Sequence, residues 1–105
     1  MTTTILIADD HAVFRHGLAS LLRERDGWQV VAEAADGEEA VRLAGAFRPR
    51  IALLDVEMPH LAGIEAVQRI RRISPETRIV VLSMYADARY QERAREAGAS
   101  AYALK

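Results

Sequence analysis

Ile51-Ala52-Leu53-Leu54-Asp55, followed by Val56-Glu57-Met58-Pro59, decides the fold. Four apolar residues run straight into one carboxylate before the chain turns away. An unbroken apolar run this short suits a strand buried on both faces, as in a parallel sheet beneath helices. A carboxylate is costly to bury, so it should emerge where the sheet meets solvent. In open α/β sheets that edge, beyond the carboxyl ends of the strands, is where ligands bind. Asp55 is therefore the first candidate for chemistry.

Working outward, the same strand pattern recurs. Thr2 to Asp9 reads as a strand built on Leu6-Ile7-Ala8, Trp28 to Ala34 as a second, Arg78 to Ser83 as a fourth and Ala99 to Leu104 as a short fifth. Between them the apolar period is helical. From His11 the stripe is Phe14, Leu18, Leu21 and Leu22, with Asp10 as an expected N-cap and Asp26-Gly27 as the stop. Asp36-Gly37-Glu38-Glu39 opens a helix with Ala40, Leu43, Ala44 and Phe47 on one face, ending before Pro49. Gly63 to about Ile73 carries Ala66, Ile70 and Ile73, and Asp87 to Ala97 is a weaker, Ala-rich helix around Tyr90 closed by Gly98. Strict strand–helix alternation implies right-handed βαβ units and a parallel sheet. The α/β class is thus an expectation of pattern, with a single domain spanning 1–105.

Composition narrows the function. The chain has 105 residues, half of them hydrophobic and 28% charged, with a formal net charge of −1. That balance fits a globular domain and gives no global field for nucleic acid or an anionic membrane. The absence of cysteine removes disulfides and thiolate metal sites and suits a cytoplasmic setting. His11, His16 and His60 lack a shared metal-ligand spacing, which argues against a zinc site. Arg69, Arg71 and Arg72 close a helix and suit its dipole rather than DNA.

The strand ends converge on one chemistry. Asp9 and Asp10 end the first strand, Asp55 the third, Ser83 the fourth and Lys105 the fifth, all on one edge of a parallel sheet. Two carboxylates about 5 Å apart repel by roughly 3 kcal/mol at an effective dielectric near 20, so a cluster of three calls for a cation. All-oxygen ligation suits Mg²⁺, an aspartate can attack phosphorus, and a hydroxyl and an ammonium can bind the remaining phosphoryl oxygens. Taken singly, each residue has an ordinary explanation: an N-cap, a loop acid, a strand end. Their common location is the signal.

These residues resemble the receiver domain of bacterial two-component response regulators over the whole chain. The match lies in Asp9-Asp10, Asp55 with Met58-Pro59 and Gly63, Ser83, and Tyr102 with Lys105 three residues on. The resemblance implies a flavodoxin-like, doubly wound sheet of five parallel strands in the order 2-1-3-4-5. It implies that Asp55 accepts a phosphoryl group from a sensor histidine kinase. It assigns Mg²⁺ to Asp9, Asp10, Asp55 and the backbone carbonyl of Glu57, phosphoryl binding to Ser83 and Lys105, and a switch pair to Ser83 and Tyr102. Glu57 and Tyr85 flank the site and would set the phosphoryl lifetime. Ala8-Asp9-Asp10-His11 with Arg15 and Gly17-Leu18, and Leu82-Ser83-Met84, resemble the subfamily with a LuxR-type helix-turn-helix output, so DNA would be reached through an output domain that is not in this chain.

Three departures stand out. Ala62 replaces the usual Asn or Asp before Gly63, Ala101 replaces a common Gly, and no fifth helix follows Lys105. Without that helix, apolar surface over the third to fifth strands is expected to be uncovered, favouring a homodimer or domain exchange. Two other classes are weaker. A flavodoxin-like FMN protein needs a hydroxyl- and Gly-rich loop where this chain has Asp9-Asp10-His11. An aspartyl phosphohydrolase would use Glu57 as its second acid but needs a substrate pocket or cap that the sequence does not suggest.

Overall fold

Five short apolar runs become five parallel strands in the computed structural model, which describes residues 2–56, 63–83 and 88–104. The strands are β1 (Thr3–Ala8), β2 (Trp28–Ala34), β3 (Ile51–Asp55), β4 (Arg78–Ser83) and β5 (Ala101–Leu104). They lie in the order β2-β1-β3-β4-β5, as the resemblance implied. Helices α1 (Ala12–Arg23), α2 (Gly37–Phe47), α3 (Gly63–Ile73) and α4 (Ala88–Ala97) connect them.

The central strands are apolar on both sides because helices lie on both faces. Leu6, Ala8, Ala52, Leu54, Ile79 and Val81 face α2, α3 and α4 and form the larger core with Ala44, Val67 and Ile70. Ile5 and Ile7 point the other way, toward Ala19, Leu18 and Leu22 of α1. Among the described residues only α1 covers this second face, and Leu53, Val80 and Leu82 are half-buried there.

Local chemistry explains most boundaries. Asp36 caps α2, accepting from the Glu39 amide at 2.8 Å, while Glu39 accepts from the Ala35 amide at 2.9 Å. This reciprocal pair satisfies two donors at the helix start. Arg48 ends α2 in the left-handed region (φ 45°), its amide reaching Ala44, and Pro49 follows. In the turn after α3, the buried Ser74 and Thr77 hydroxyls lie 2.6 Å apart, and Thr77 donates to the Pro49 carbonyl.

Several details differ from the sequence reading. His11, not Asp10, is the N-cap of α1, without a side-chain cap bond, because the His11 amide is taken by the Asp9 carboxylate at 2.8 Å. Helix α1 ends at Arg23, and Gly27 (φ 82°) turns the chain only after a short non-helical stretch. Leu21 is 64% exposed, so the α1 stripe narrows to Leu18, Ala19 and Leu22. Phe47 and Ile73 are likewise exposed at the ends of their helices, whereas Val67 joins the α3 core face. Strand β5 begins at Ala101 rather than Ala99 because the Gly98 and Ala99 amides close α4. Finally, the β1–β2 register skips Val31, a bulge-like irregularity. Trp28 and Val30 therefore face α1, whereas Ala32 packs with the opposite core.

Candidate functional site

The parallel register brings the strand ends together. Ala8 pairs with Leu54, so Asp9 and Asp55, the next residue of each strand, emerge side by side. Asp55 in turn pairs with Leu82, the residue before Ser83, and the Val56 amide extends the ladder to the Leu82 carbonyl at 3.1 Å. Ser83 pairs with Leu104. Asp9, Asp55 and Ser83 are essentially buried (0%, 2% and 2% exposed), so three polar residues sit where an apolar interior would otherwise be expected.

Asp9, Asp10, His11 and Asp55 each offer a ligand atom, and these atoms lie within 4.8 Å of one another. Asp10 and His11 form the exposed rim, while Asp9 and Asp55 form the floor. Four oxygen or nitrogen donors at this spacing, three of them carboxylates, fit a hard divalent cation. His11 was missed as part of this group by the sequence reading. Its Nδ1 lies 3.2 Å from an oxygen of each of Asp9 and Asp10. Adjacency in sequence to the acidic pair was the available signal.

Gly63, the first residue of α3, donates its amide to the Val56 carbonyl at 3.3 Å. Tyr102 is half-buried, its ring 6.3 Å from that of Tyr90 on α4 and inclined by 58°. Glu57, Tyr85 and Lys105, with Ala62 and Asp87, lie outside the described residues. The structure thus joins Asp9, Asp10 and Asp55, sets Ser83 on the neighbouring strand, and leaves Tyr102 two residues back along β5 from the Ser83 register.

Five parallel strands in this order, with an acidic cluster at the ends of β1 and β3, match a known family. Its model, the response regulator receiver domain, matches residues 5–105. The chain belongs to this family. Among curated relatives, this receiver domain is 47% identical over 103 residues to the transcriptional regulatory protein PdtaR of Mycobacterium tuberculosis, covering 96% of this chain and 48% of the relative. The chain spans about half the length of the curated relatives it matches. A LuxR-family two-component response regulator from Aurantimonas superposes with a TM-score of 0.94 at 40% identity, over all of this chain and 75% of that one. A response regulator from Burkholderia pseudomallei, solved with a phosphorylated aspartic acid and a calcium ion, superposes with a TM-score of 0.88 at 29% identity, over 98% of this chain and 59% of that one. The domain is therefore a regulatory module of two-component signalling. Among its described residues, no helix is long and apolar enough to cross a membrane.

Proposed function

We propose that Asp55 is the phosphoacceptor of a Mg²⁺-dependent switch that controls transcription through a domain outside this chain. One observation carries the reading: the Asp9, Asp10, His11 and Asp55 ligand atoms within 4.8 Å of one another at the carboxyl end of the sheet. The phosphorylated aspartate and calcium ion of the Burkholderia relative support it by analogy.

In this account an Asp55 carboxylate oxygen attacks the phosphorus of a phosphohistidine on a sensor kinase. The phosphorus–nitrogen bond breaks, the departing imidazole takes up a proton, and an acyl phosphate remains on Asp55. Asp9, Asp10, Asp55 and the Glu57 carbonyl would hold Mg²⁺, which would neutralise the charge that accumulates on the phosphoryl oxygens. The Ser83 hydroxyl and the Lys105 ammonium bind those oxygens. The added charge of about −1.5 to −2 draws Ser83 toward the site and shifts Tyr102, altering the surface that meets the output domain. Glu57 and Tyr85 tune the lifetime of the acyl phosphate. The chain turns over no free substrate and works in the cytoplasm with a sensor kinase, and contact between copies over the half-buried face at Leu53, Val80 and Leu82 is part of the same reading.

Incubation with acetyl phosphate tests the proposal. The expected product is an acid-stable, base-labile adduct that requires Mg²⁺. Labelling that proceeds equally in EDTA would overturn the Mg²⁺ requirement, and an acid-labile, base-stable adduct would point to a phosphoramidate instead.

A further inference from the structure

Arg15 stands in the sequence as part of a pattern with no chemistry attached, yet its side chain is only 13% exposed and reaches the acidic pocket. Its Nη1 donates to the carbonyl oxygen of Asp9 at 2.6 Å. That oxygen belongs to the planar peptide group joining Asp9 to Asp10. Holding it fixes the plane of the one linkage between the two acids, and with it the direction in which the Asp10 side chain leaves the backbone. The Asp9 amide, on the other side of the residue, donates to the Ala34 carbonyl at 3.0 Å. Asp9 is therefore gripped at both of its backbone polar groups.

The grip on Arg15 comes from β2. Its Nε donates to Glu33 Oε1 at 3.3 Å, and His16 and Arg23 approach the same carboxylate at 3.6 and 3.5 Å. Glu33 reaches this position through the irregularity at Val31. Strict alternation would put Glu33 on the face opposite Val30, beneath α2 to α4. The skipped residue instead pairs Glu33 with Ile7 and turns both toward α1.

We infer that Arg15 is a positioning residue for the cation pocket, held by Glu33 so that its guanidinium fixes the Asp9–Asp10 peptide; this rests on the cation reading of that pocket. Groups that orient metal ligands from behind commonly matter for affinity. The sign of the effect separates this role from a purely Coulombic one. A guanidinium near a cation site repels the cation, so if charge alone mattered, its removal would tighten binding. If Arg15 positions the acids, its removal weakens binding.

The experiment is titration of the full 105-residue chain with Mg²⁺ by calorimetry and with Mn²⁺ by electron paramagnetic resonance. Arg15→Ala is expected to raise the dissociation constant on the order of 10-fold. Arg15→Lys, which keeps one donor, should recover part of that loss. In labelling with acetyl phosphate, Arg15→Ala should require more Mg²⁺ but approach the wild-type rate at saturation. Arg23→Ala removes another cation from Glu33 without touching Asp9, and should leave Mg²⁺ affinity within about twofold of wild type, since exposed ion pairs contribute little. Unchanged or tighter Mg²⁺ binding in Arg15→Ala overturns the inference, as does an equal loss in Arg23→Ala. A wild-type chain that binds neither ion, indistinguishable from Asp10→Asn, overturns the cation reading itself and this inference with it.

Discussion

The amide of Gly63 donates to the Val56 carbonyl at 3.3 Å, and a methyl group on Gly63 would come within 2.7 Å of Val56 Cα. The obstacle is backbone, one residue from Asp55, so neither side can yield cheaply. Gly63→Ala should destabilise the domain by about 1–3 kcal/mol, the usual cost of overpacking, as read by urea denaturation. Gly17 is the contrast: it lies inside α1, and beyond its chain neighbours and the adjacent helix backbone nothing lies within 4 Å of an added methyl. Gly17→Ala should stabilise by up to about 1 kcal/mol through helix propensity alone.

Thr77 ties the start of β4 to the end of α2. It is fully buried, shares a 2.6 Å contact with Ser74 and donates to the Pro49 carbonyl. Thr77→Val keeps the shape but strands both the carbonyl and the serine hydroxyl. A loss of about 1–3 kcal/mol is expected for buried groups left unsatisfied, with the midpoint of denaturation as the measure.

Cation removal should be visible as stability. A ligand at about 100 times its dissociation constant stabilises the folded state by about 2.7 kcal/mol. Saturating Mg²⁺ is thus expected to raise the melting temperature by about 10 °C or more in a domain of this size. In Asp10→Asn the Mg²⁺ increment should largely vanish, while the melting temperature in EDTA should stay level or rise, because one member of a mutually repelling cluster is gone. Differential scanning calorimetry with and without EDTA checks both signs.

What the sequence made legible follows from how local each signal is. The continuous apolar runs at Leu6-Ile7-Ala8, Ile51 to Leu54 and Ile79 to Leu82 located β1, β3 and β4; helices pack on both faces at β1, whereas Val80 and Leu82 of β4 are only half-buried on the α1 side. Asp9 and Asp55 were found because each follows such a run, and parallel register then sets them adjacent. The α1 cap was misread because Asp10 has the right chemistry, and nothing in the order Asp9-Asp10-His11 says that the Asp9 carboxylate would take the His11 amide. The irregularity at Val31 leaves no mark on a strand of mixed apolar residues, so the side on which Glu33 falls could not be read. The Arg15–Glu33 contact spans 18 positions and depends on that irregularity, which placed it beyond any pattern of spacing. Leu21 and Phe47 show the converse: apolar residues at helical spacing that the structure leaves exposed.

The central claim is that the carboxylate of Asp55, and no other, receives the phosphoryl group. Borohydride reduces an acyl phosphate to the corresponding alcohol, so a phosphorylated aspartate becomes homoserine and is marked in place. The wild-type chain, treated with acetyl phosphate and Mg²⁺ and then borohydride, should give a single homoserine at position 55 by peptide mass spectrometry. The same treatment of Asp55→Asn should give none. Homoserine at position 9 or 10 in the wild type, or a phosphoryl adduct of equal yield in Asp55→Asn, would contradict the account.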